Sequence, residues 1–239
     1  MFTSAWDYLR LKHFREENRV AVCIPHTGEV SMEFAVRLRE LLLPEGSDIF
    51  LARGMPIDVA RNSMAEEVVK AGYKWLFFLD SDIILPKEAV ITLMAHRQPI
   101  ISGIYKAKRR GGFHWVANVE IEVEENGVKK KVFSPVESFN GRICKVDAIG
   151  MGCCLIHTSV FEYIRKRTDL PFFLWTRDRP ESYLDKLGVP KELRGYSEDY
   201  YFCKLAKMHG FEILVDTAVV GHHVGTFKLT ENEVTVLDV

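Results

Sequence analysis

Two aspartates one residue apart, Asp80 and Asp82, close the apolar run Trp75-Leu76-Phe77-Phe78-Leu79. Carboxylates about 5 Å apart repel by roughly 3 kcal/mol at an effective dielectric near 20. Placing them at the end of a buried strand calls for a compensating proton or cation. A hard divalent ion, Mg²⁺ or Mn²⁺, supplies that compensation and would also bind ligand phosphates. The alternative without a ligand has Asp82 capping the helix after Ile83-Ile84-Leu85-Pro86, with Asp80 in solvent. A second acidic pair, Glu198-Asp199, follows Ser197 at the head of the pattern Tyr200, Tyr201, Phe202, Leu205. Acids in a first helical turn favour the dipole, and Ser197 can cap it. Two adjacent acids exceed what capping needs, and one of them could take a proton from an attacking hydroxyl. A third group is Gly221-His222-His223-Val224-Gly225. A neutral imidazole completes an Asp-containing divalent site, Mn²⁺ more readily than Mg²⁺.

These groups need elements to position them, and the apolar pattern supplies a series. Residues 20–24 form a continuous apolar run ending at Pro25-His26-Thr27-Gly28, the signature of a buried parallel strand entering a loop. Ser31 is placed to cap a helix carrying Phe34, Leu38, Leu41 and Leu42, and residues 49–52 make a second strand. Asp58 is placed to cap the next helix, with Val59, Met64, Val68 and Val69 on its apolar face and Gly72 at its end. A third strand runs to Asp80, a helix follows Pro86, and residues 99–103 make a fourth strand. Three strand–helix alternations in about a hundred residues predict an α/β fold with a mostly parallel central sheet flanked by helices. Ligands of such sheets bind beyond the carboxyl ends of the strands, which here carry Pro25-His26-Thr27, Gly54-Met55-Pro56 and Asp80-Ser81-Asp82.

After Tyr105 the pattern becomes mixed. Lys106, Lys108, Arg109 and Arg110 precede Gly111-Gly112; Val119, Ile121 and Val123 alternate with Glu120, Glu122 and Glu124; and Asn126-Gly127 reads as a hairpin turn. Residues 146–156 are apolar and interrupted by glycine, and a segment rich in proline and aromatics spans 171–180. In the latter, Phe172, Phe173, Leu174 and Trp175 read first as core and second as a flap covering an acceptor.

The 239 residues contain 32 Lys and Arg against 33 Asp and Glu, a formal charge of −1. Phosphate neutralisation by a nucleic-acid binder requires a strong basic excess, so that class is set aside. Five cysteines (Cys23, Cys144, Cys153, Cys154 and Cys203), an odd number without zinc or redox spacing, predict buried reduced thiols in a cytoplasmic protein. No stretch approaches the roughly twenty apolar residues of a membrane span. Residues 1–19 lack signal-peptide features, but their mixture of Phe2, Trp6, Leu9 and Leu11 with charges could touch a membrane surface peripherally.

Taken in order, residues 20–27, Asp58-Val59-Ala60-Arg61-Asn62, Phe77-Phe78-Leu79-Asp80-Ser81-Asp82, Asp147-Ala148-Ile149-Gly150-Met151-Gly152, Ser197-Glu198-Asp199 and His223-Val224-Gly225 resemble a GT-A-fold glycosyltransferase. The chain is most similar to glycosyltransferase family 2 and its relatives, over residues 19–227. The resemblance implies one domain, 1–239. Residues 19–105 form its nucleotide-sugar half, 106–227 a smaller mixed acceptor-side half, and 1–18 and 228–239 terminal segments. It implies hexosyl transfer from a UDP- or GDP-linked sugar to a carbohydrate, lipid or protein hydroxyl, with Mn²⁺ or Mg²⁺. By position it assigns Pro25, His26, Thr27, Arg61, Asn62, Asp80, Ser81 and Asp82 to the donor. It assigns Asp80, Asp82 and His223 to the metal, with His222 the rival of His223. Asp199, with Glu198 beside it, is matched to the base, and Gly150, Met151 and Gly152 to the acceptor side. Where the family often carries further acids after its second strand, this chain has Arg53-Gly54-Met55. Two alternatives stand beside it. One is a haloacid-dehalogenase-like phosphohydrolase using Asp80 as nucleophile, although Ile84 stands where that class has Thr or Val. The other is a non-catalytic nucleotide-sugar-binding protein.

Overall fold

The computed structural model describes residues 18–109, 112–125, 127–224, 226–229 and 234–237. The amphipathic segment 1–17, Arg110, Gly111, Asn126 and Gly225 lie outside the described residues, as do the side chains of Lys108 and Arg109. In chain order the elements begin β1 (Val20–His26), α1 (Met32–Glu40), β2 (Asp48–Arg53), α2 (Ile57–Lys70), β3 (Trp75–Leu79), β4 (Ile83–Ile84), α3 (Ala89–Ala95) and β5 (Ile100–Ile104). Then come β6 (Lys106–Arg109), β7 (Gly112–Trp115), β8 (Asn118–Glu125), β9 (Val128–Pro135), β10 (Ile143–Val146) and β11 (Cys153–His157). The chain continues through α4 (Ser159–Arg165), α5 (Glu181–Lys186), a 3₁₀ turn (Lys191–Leu193), α6 (Glu198–Met208), β12 (Ile213–Val220), β13 (His222–His223), β14 (Thr226–Leu229) and β15 (Val234–Leu237).

Seven strands form the central sheet in the order β10-β12-β5-β11-β3-β1-β2. β1 pairs in parallel with β2 and β3, and β12 with β5, whereas β11 lies antiparallel between β3 and β5 and β10 is antiparallel to β12. Five strands therefore point one way and two the other. The sheet is the mostly parallel one expected, with a reversed strand at its middle. Its inner strands are apolar at consecutive positions because helices cover both faces. Phe34 of α1 and Val90, Leu93 and Met94 of α3 pack on one face; Met64 of α2, Phe161 of α4 and Tyr201, Phe202 and Leu205 of α6 pack on the other.

The helix starts show what local chemistry decides. Ser31 caps α1 as expected, its Oγ accepting from Phe34 N at 3.0 Å. Asp58 does not cap α2. Pro56 occupies that place without a side-chain bond, its ring favouring the extended backbone required there, and Asp58 sits inside the first turn. Gly72, at φ +78°, ends α2 in the left-handed conformation that favours glycine. All five cysteines are free; four are buried and Cys144 is half-buried. Among the described residues no helix is long and apolar enough to cross a membrane.

Candidate active site

A cleft of about 820 Å³ opens beyond the carboxyl ends of β1, β2 and β3. Pro25, His26 and Thr27 from the end of β1 line it, together with Gly54 and Met55 from β2 and Asp80, Ser81 and Asp82 from β3. Arg61 of α2, Trp175, Ser197, Glu198 and Asp199 form its other wall. Residues as distant in the chain as Pro25 and Asp199 thus line one cleft because the parallel strands all end at one edge and α6 begins beside it.

Arg61 stands between the acidic groups. It is 3% exposed; its Nη2 donates to Asp80 Oδ1 at 3.1 Å and its Nε lies 3.3 Å from Glu198 Oε1. Burial opposes its charge, but Asp80, Glu198 and Asp199 together outweigh burial and raise its pKa. Nη1 has no hydrogen-bond partner among the described residues. Burial raises the Asp80 carboxyl, Arg61 opposing and Asp82 reinforcing the rise. Burial likewise raises Glu198 to about 7, with Asp199 adding to the rise and Arg61 opposing it. A cation inside this cluster of carboxylates is the compensation that the Asp-x-Asp spacing requires, and the protein supplies one covalently.

Asp82 has a different partner. β13 pairs antiparallel with β4, setting His223 opposite Ile83, and His223 Nε2 lies 2.8 Å from Asp82 Oδ2. Val224 N donates to Asp82 O at 2.7 Å, closing the contact through the backbone. The hydrogen bond to Asp82 raises the pKa of His223. Neighbours in a strand point to opposite faces, and it is His223, not His222, that the structure brings to Asp82. Asp82 lines the cleft, and His223, bonded to it but not itself part of the lining, sets an imidazole beside that carboxylate. Among the described residues no three His, Cys, Asp or Glu side chains converge as a metal cluster.

At the start of α6, Ser197 occupies the cap position but makes no cap bond; its hydroxyl donates to Asp199 Oδ1 instead. Tyr200 N also donates to Oδ1 at 2.8 Å, so the Asp199 carboxylate is oriented in the cleft wall. Glu198, 5% exposed, turns inward to Arg61.

Asn62 and the glycine segment are placed elsewhere. Asn62 Nδ2 donates to Phe173 O at 2.6 Å and its Oδ1 accepts from Phe173 N at 3.1 Å, so its amide holds chain 173–175 and it is absent from the cleft lining. Gly150, Met151 and Gly152 form a tight backbone beneath the cleft, with Met151 1% exposed. Gly152 O accepts from Asp80 N at 3.3 Å, and Gly152 N donates to Tyr105 Oη at 3.0 Å. A Cβ on Gly152 would lie 2.7 Å from Tyr105 Oη and 2.8 Å from Asp80 Oδ2, so this position requires glycine for close approach. Lys106 points its Nζ over the Trp115 ring, 4.9 Å from the centroid. Tyr105 was not legible as a site residue. It follows an apolar strand and reads as core, and only the folding of residues 150–152 against it puts its hydroxyl beside Asp80. Glu29, Val30, Ser31, Ile57 and Val224 also line the cleft through backbone placement no motif marks.

Among solved structures, the chain is similar to A197 from STIV, with TM-score 0.58 and 17% identity, covering 92% of this chain and 94% of that one. It is also similar to GalNAc-T7, solved with UDP, GalNAc and Mn²⁺, with TM-score 0.52 and 10% identity over 88% of this chain. The match covers 44% of the GalNAc-T7 chain, so the present chain spans less than half its length. No protein-family model matches the chain and no curated protein does. At such identities the likeness is one of architecture: the chain has the GT-A fold, with the reversed strand β11 inside an otherwise mostly parallel core.

Proposed function

We propose that the chain is a metal-dependent glycosyltransferase moving a hexosyl group from a nucleoside-diphosphate sugar, UDP- or GDP-linked, to a hydroxyl acceptor. The observation that carries this reading is the gathering of Asp80, Asp82 and Asp199 in one cleft at the carboxyl ends of β1 to β3, with His223 bonded to Asp82. One carboxylate and one imidazole with open space beside them fit a divalent ion whose remaining positions are taken by ligand phosphates, and the nitrogen donor favours Mn²⁺ over Mg²⁺. Bound by Asp82 and His223, such an ion supplies Lewis-acid stabilisation of charge on a diphosphate leaving group.

The remaining roles belong to the chain itself. Pro25, His26 and Thr27 form the wall suited to the donor nucleoside. Arg61 fixes Asp80 and Glu198 and holds a positive charge below the diphosphate position. Asp199, oriented by Ser197 and Tyr200 and reachable from the cleft, takes the acceptor's hydroxyl proton. Glu198, buried against Arg61, is the poorer base. The phosphohydrolase alternative gains no support, because Asp80 would have to leave Arg61 to act as a nucleophile. Four buried, unpaired cysteines favour a cytoplasmic setting.

Thermal shift with UDP, GDP and their sugar conjugates, with and without Mn²⁺, tests the reading. A ligand at about a hundred times its Kd stabilises by roughly 2.7 kcal/mol. The expected result is a shift with at least one nucleotide, dependent on Mn²⁺ and lost in Asp82→Ala. A shift undiminished by chelator, or none with any nucleotide, overturns it.

A further inference from the structure

The cleft has one indole in its wall, and the surrounding backbone is built to hold it. Residues 173–177 pass between the first turn of α2 and the start of α6. Phe173 and Leu174 are buried in the core, as the first reading of the aromatic run expects, but Trp175 is half-buried and lines the cleft with Ser197, Glu198 and Asp199. Phe173 is clamped at both backbone groups by Asn62. Trp175 N donates to Asp58 Oδ2 at 3.2 Å. Thr176 N and Arg177 N donate to Tyr196 O at 2.8 and 3.0 Å, and the Thr176 hydroxyl donates to Leu193 O. Asp58 and Asn62 lie four residues apart on α2, on one helical face. Asp58 is 5% exposed and has no capping task; burying a carboxylate is costly unless it is bonded, and this one accepts from Val59 N and Trp175 N, with Arg179 Nη2 3.9 Å from its Oδ2. The backbone that carries the indole is therefore held from two sides; the Arg177 guanidinium lies over the ring, 5.9 Å from its centroid, and Asp199, placed to accept a hydroxyl proton, lines the same cleft.

We propose that Trp175 is the stacking wall of the acceptor subsite and that the acceptor presents a pyranose ring there. The inference rests on the reading above, that the cleft carries out glycosyl transfer. A pyranose has a face of C–H groups and a rim of hydroxyls. It can lay the face on an indole while the rim meets carboxylates, the combination of apolar surface and few placed polar groups that small-ligand sites use. Among the described lining residues Trp175 is the only Trp, Tyr or Phe, and acids flank it: Glu198 and Asp199 in the wall, and Asp178, whose Oδ2 accepts from Trp175 Nε1 at 3.3 Å. A lipid chain would need a continuous apolar groove, which this wall does not offer. Asp58 acts through Trp175 and is a positioning residue.

The test is saturation-transfer NMR with methyl pyranosides of glucose, galactose, mannose and N-acetylglucosamine, with 1-octanol as the lipid-like probe. It is run on the full chain with Mn²⁺ and UDP or GDP, whose own Kd is measured in parallel. At least one pyranoside should bind. Trp175→Ala should weaken it by about tenfold or more and Trp175→Phe by less than about threefold, in keeping with an aromatic hot spot. Asp58→Ala should follow Trp175→Ala, whereas Asp58→Asn, which keeps an acceptor for the Trp175 amide, should restore binding. In each variant the nucleotide Kd should move by less than about twofold, since it reads a different part of the cleft. Pyranoside binding indifferent to Trp175, octanol binding in place of pyranosides, or an equal loss of nucleotide in Trp175→Ala would each overturn the proposal. Absence of nucleotide binding in the native chain overturns the transferase reading instead. Trp175-dependent pyranoside binding would survive that result as a sugar site, and absence of both ligands overturns both.

Discussion

Arg61 is the residue on which the acidic groups of the cleft depend, because its buried guanidinium faces Asp80 and Glu198 at once. Replacing it with methionine nearly keeps the volume but leaves the buried Glu198 and the partly exposed Asp80 without a cation, and removing one partner of a buried pair costs roughly 3–5 kcal/mol. Urea unfolding of Arg61→Met should show that loss, and a variant within experimental error of the native chain would refute the pairing. Glu198 gives the pH dependence. Its folded pKa of about 7 lies above its ordinary value of 4.5, so the folded state binds this proton more tightly than the unfolded chain does. Its contribution to stability is therefore complete below about 4.5 and declines as pH rises through 7. Glu198→Gln keeps the neutral form, so the stability of this variant relative to the native chain should rise between pH 5 and pH 8; a flat or falling difference contradicts the assignment. Gly152→Ala should destabilise by about 1–3 kcal/mol through its clash with Tyr105 Oη. Tyr105→Phe in the same chain should recover part of that cost, a coupling that a double-mutant cycle measures. These residues differ in how readable they were. Asp80, Asp82, Glu198 and Asp199 announce themselves because acids at the ends of apolar runs need a reason. Tyr105 and Asp58 do not, since their roles arise from what folds against them. Gly152 stood out by its spacing, but its tight approach to Tyr105 is equally a product of folding.

The elements that carry these residues divide into those specified locally and those specified by distant pairing. β1, α1, β2, α2, β3, α3 and β5 follow from periodicity, because each carries its own apolar pattern and breaker. β11 does not. Residues 146–156 read as one apolar run, whereas Gly150-Met151-Gly152 turns the chain so that Cys153–His157 enters the sheet in reverse between β3 and β5. Which strands become neighbours is a non-local choice, invisible to a window of a dozen residues. The β8–β9 hairpin shows a similar division. Its charge alternation is legible, but its docking on α6 is not: Phe133 meets the rings of Tyr196 and Tyr200 at 5.5 and 5.0 Å, and Lys204 Nζ donates to Glu120 Oε1 at 2.6 Å. That contact joins the hairpin to the helix whose first turn carries Asp199. Phe133→Ala should therefore cost about 2 kcal/mol or more in chemical denaturation. Lys129→Gln, which removes the solvent-exposed pair with Glu122, should change stability by less than about 0.5 kcal/mol. Equal effects from the two substitutions would show that the hairpin is held by its own cross-strand charges and not by α6.

For the whole molecule, the near-zero net charge conceals a local arrangement: acids from β3 and α6 surround one buried arginine in the cleft, and no general basic surface is required for an anionic ligand held through a cation. Such an arrangement works only if the strands that present it keep their register, which assigns the centre of the sheet a mechanical task. Leu76, Phe77, Phe78, Ile100, Ile101, Leu155 and Ile156 are fully buried where β3, β11 and β5 run side by side, and both layers of helices pack on them. Opening β11 would expose both cores together, because Cys154 and Ile156 pack into the cluster on one face of the sheet and Cys153 and Leu155 into the cluster on the other. Local opening should be nearly as costly there as global unfolding, whereas the β8–β9 hairpin, tied to residues 147–148 only near its base at Asn118 and Glu120, can open from its turn at much lower cost. Native-state hydrogen exchange should accordingly show the slowest amides in residues 76–79, 100–102 and 154–156, and faster exchange throughout residues 121–131. Addition of the nucleotide and Mn²⁺ that bind should slow the amides of residues 80–83 and 197–200 well before it affects the hairpin. If β11 exchanges as fast as the hairpin, the reversed strand is an addition to the sheet and not its keystone, and the register of Asp80 over Gly152 must be maintained by β1 and α2 alone.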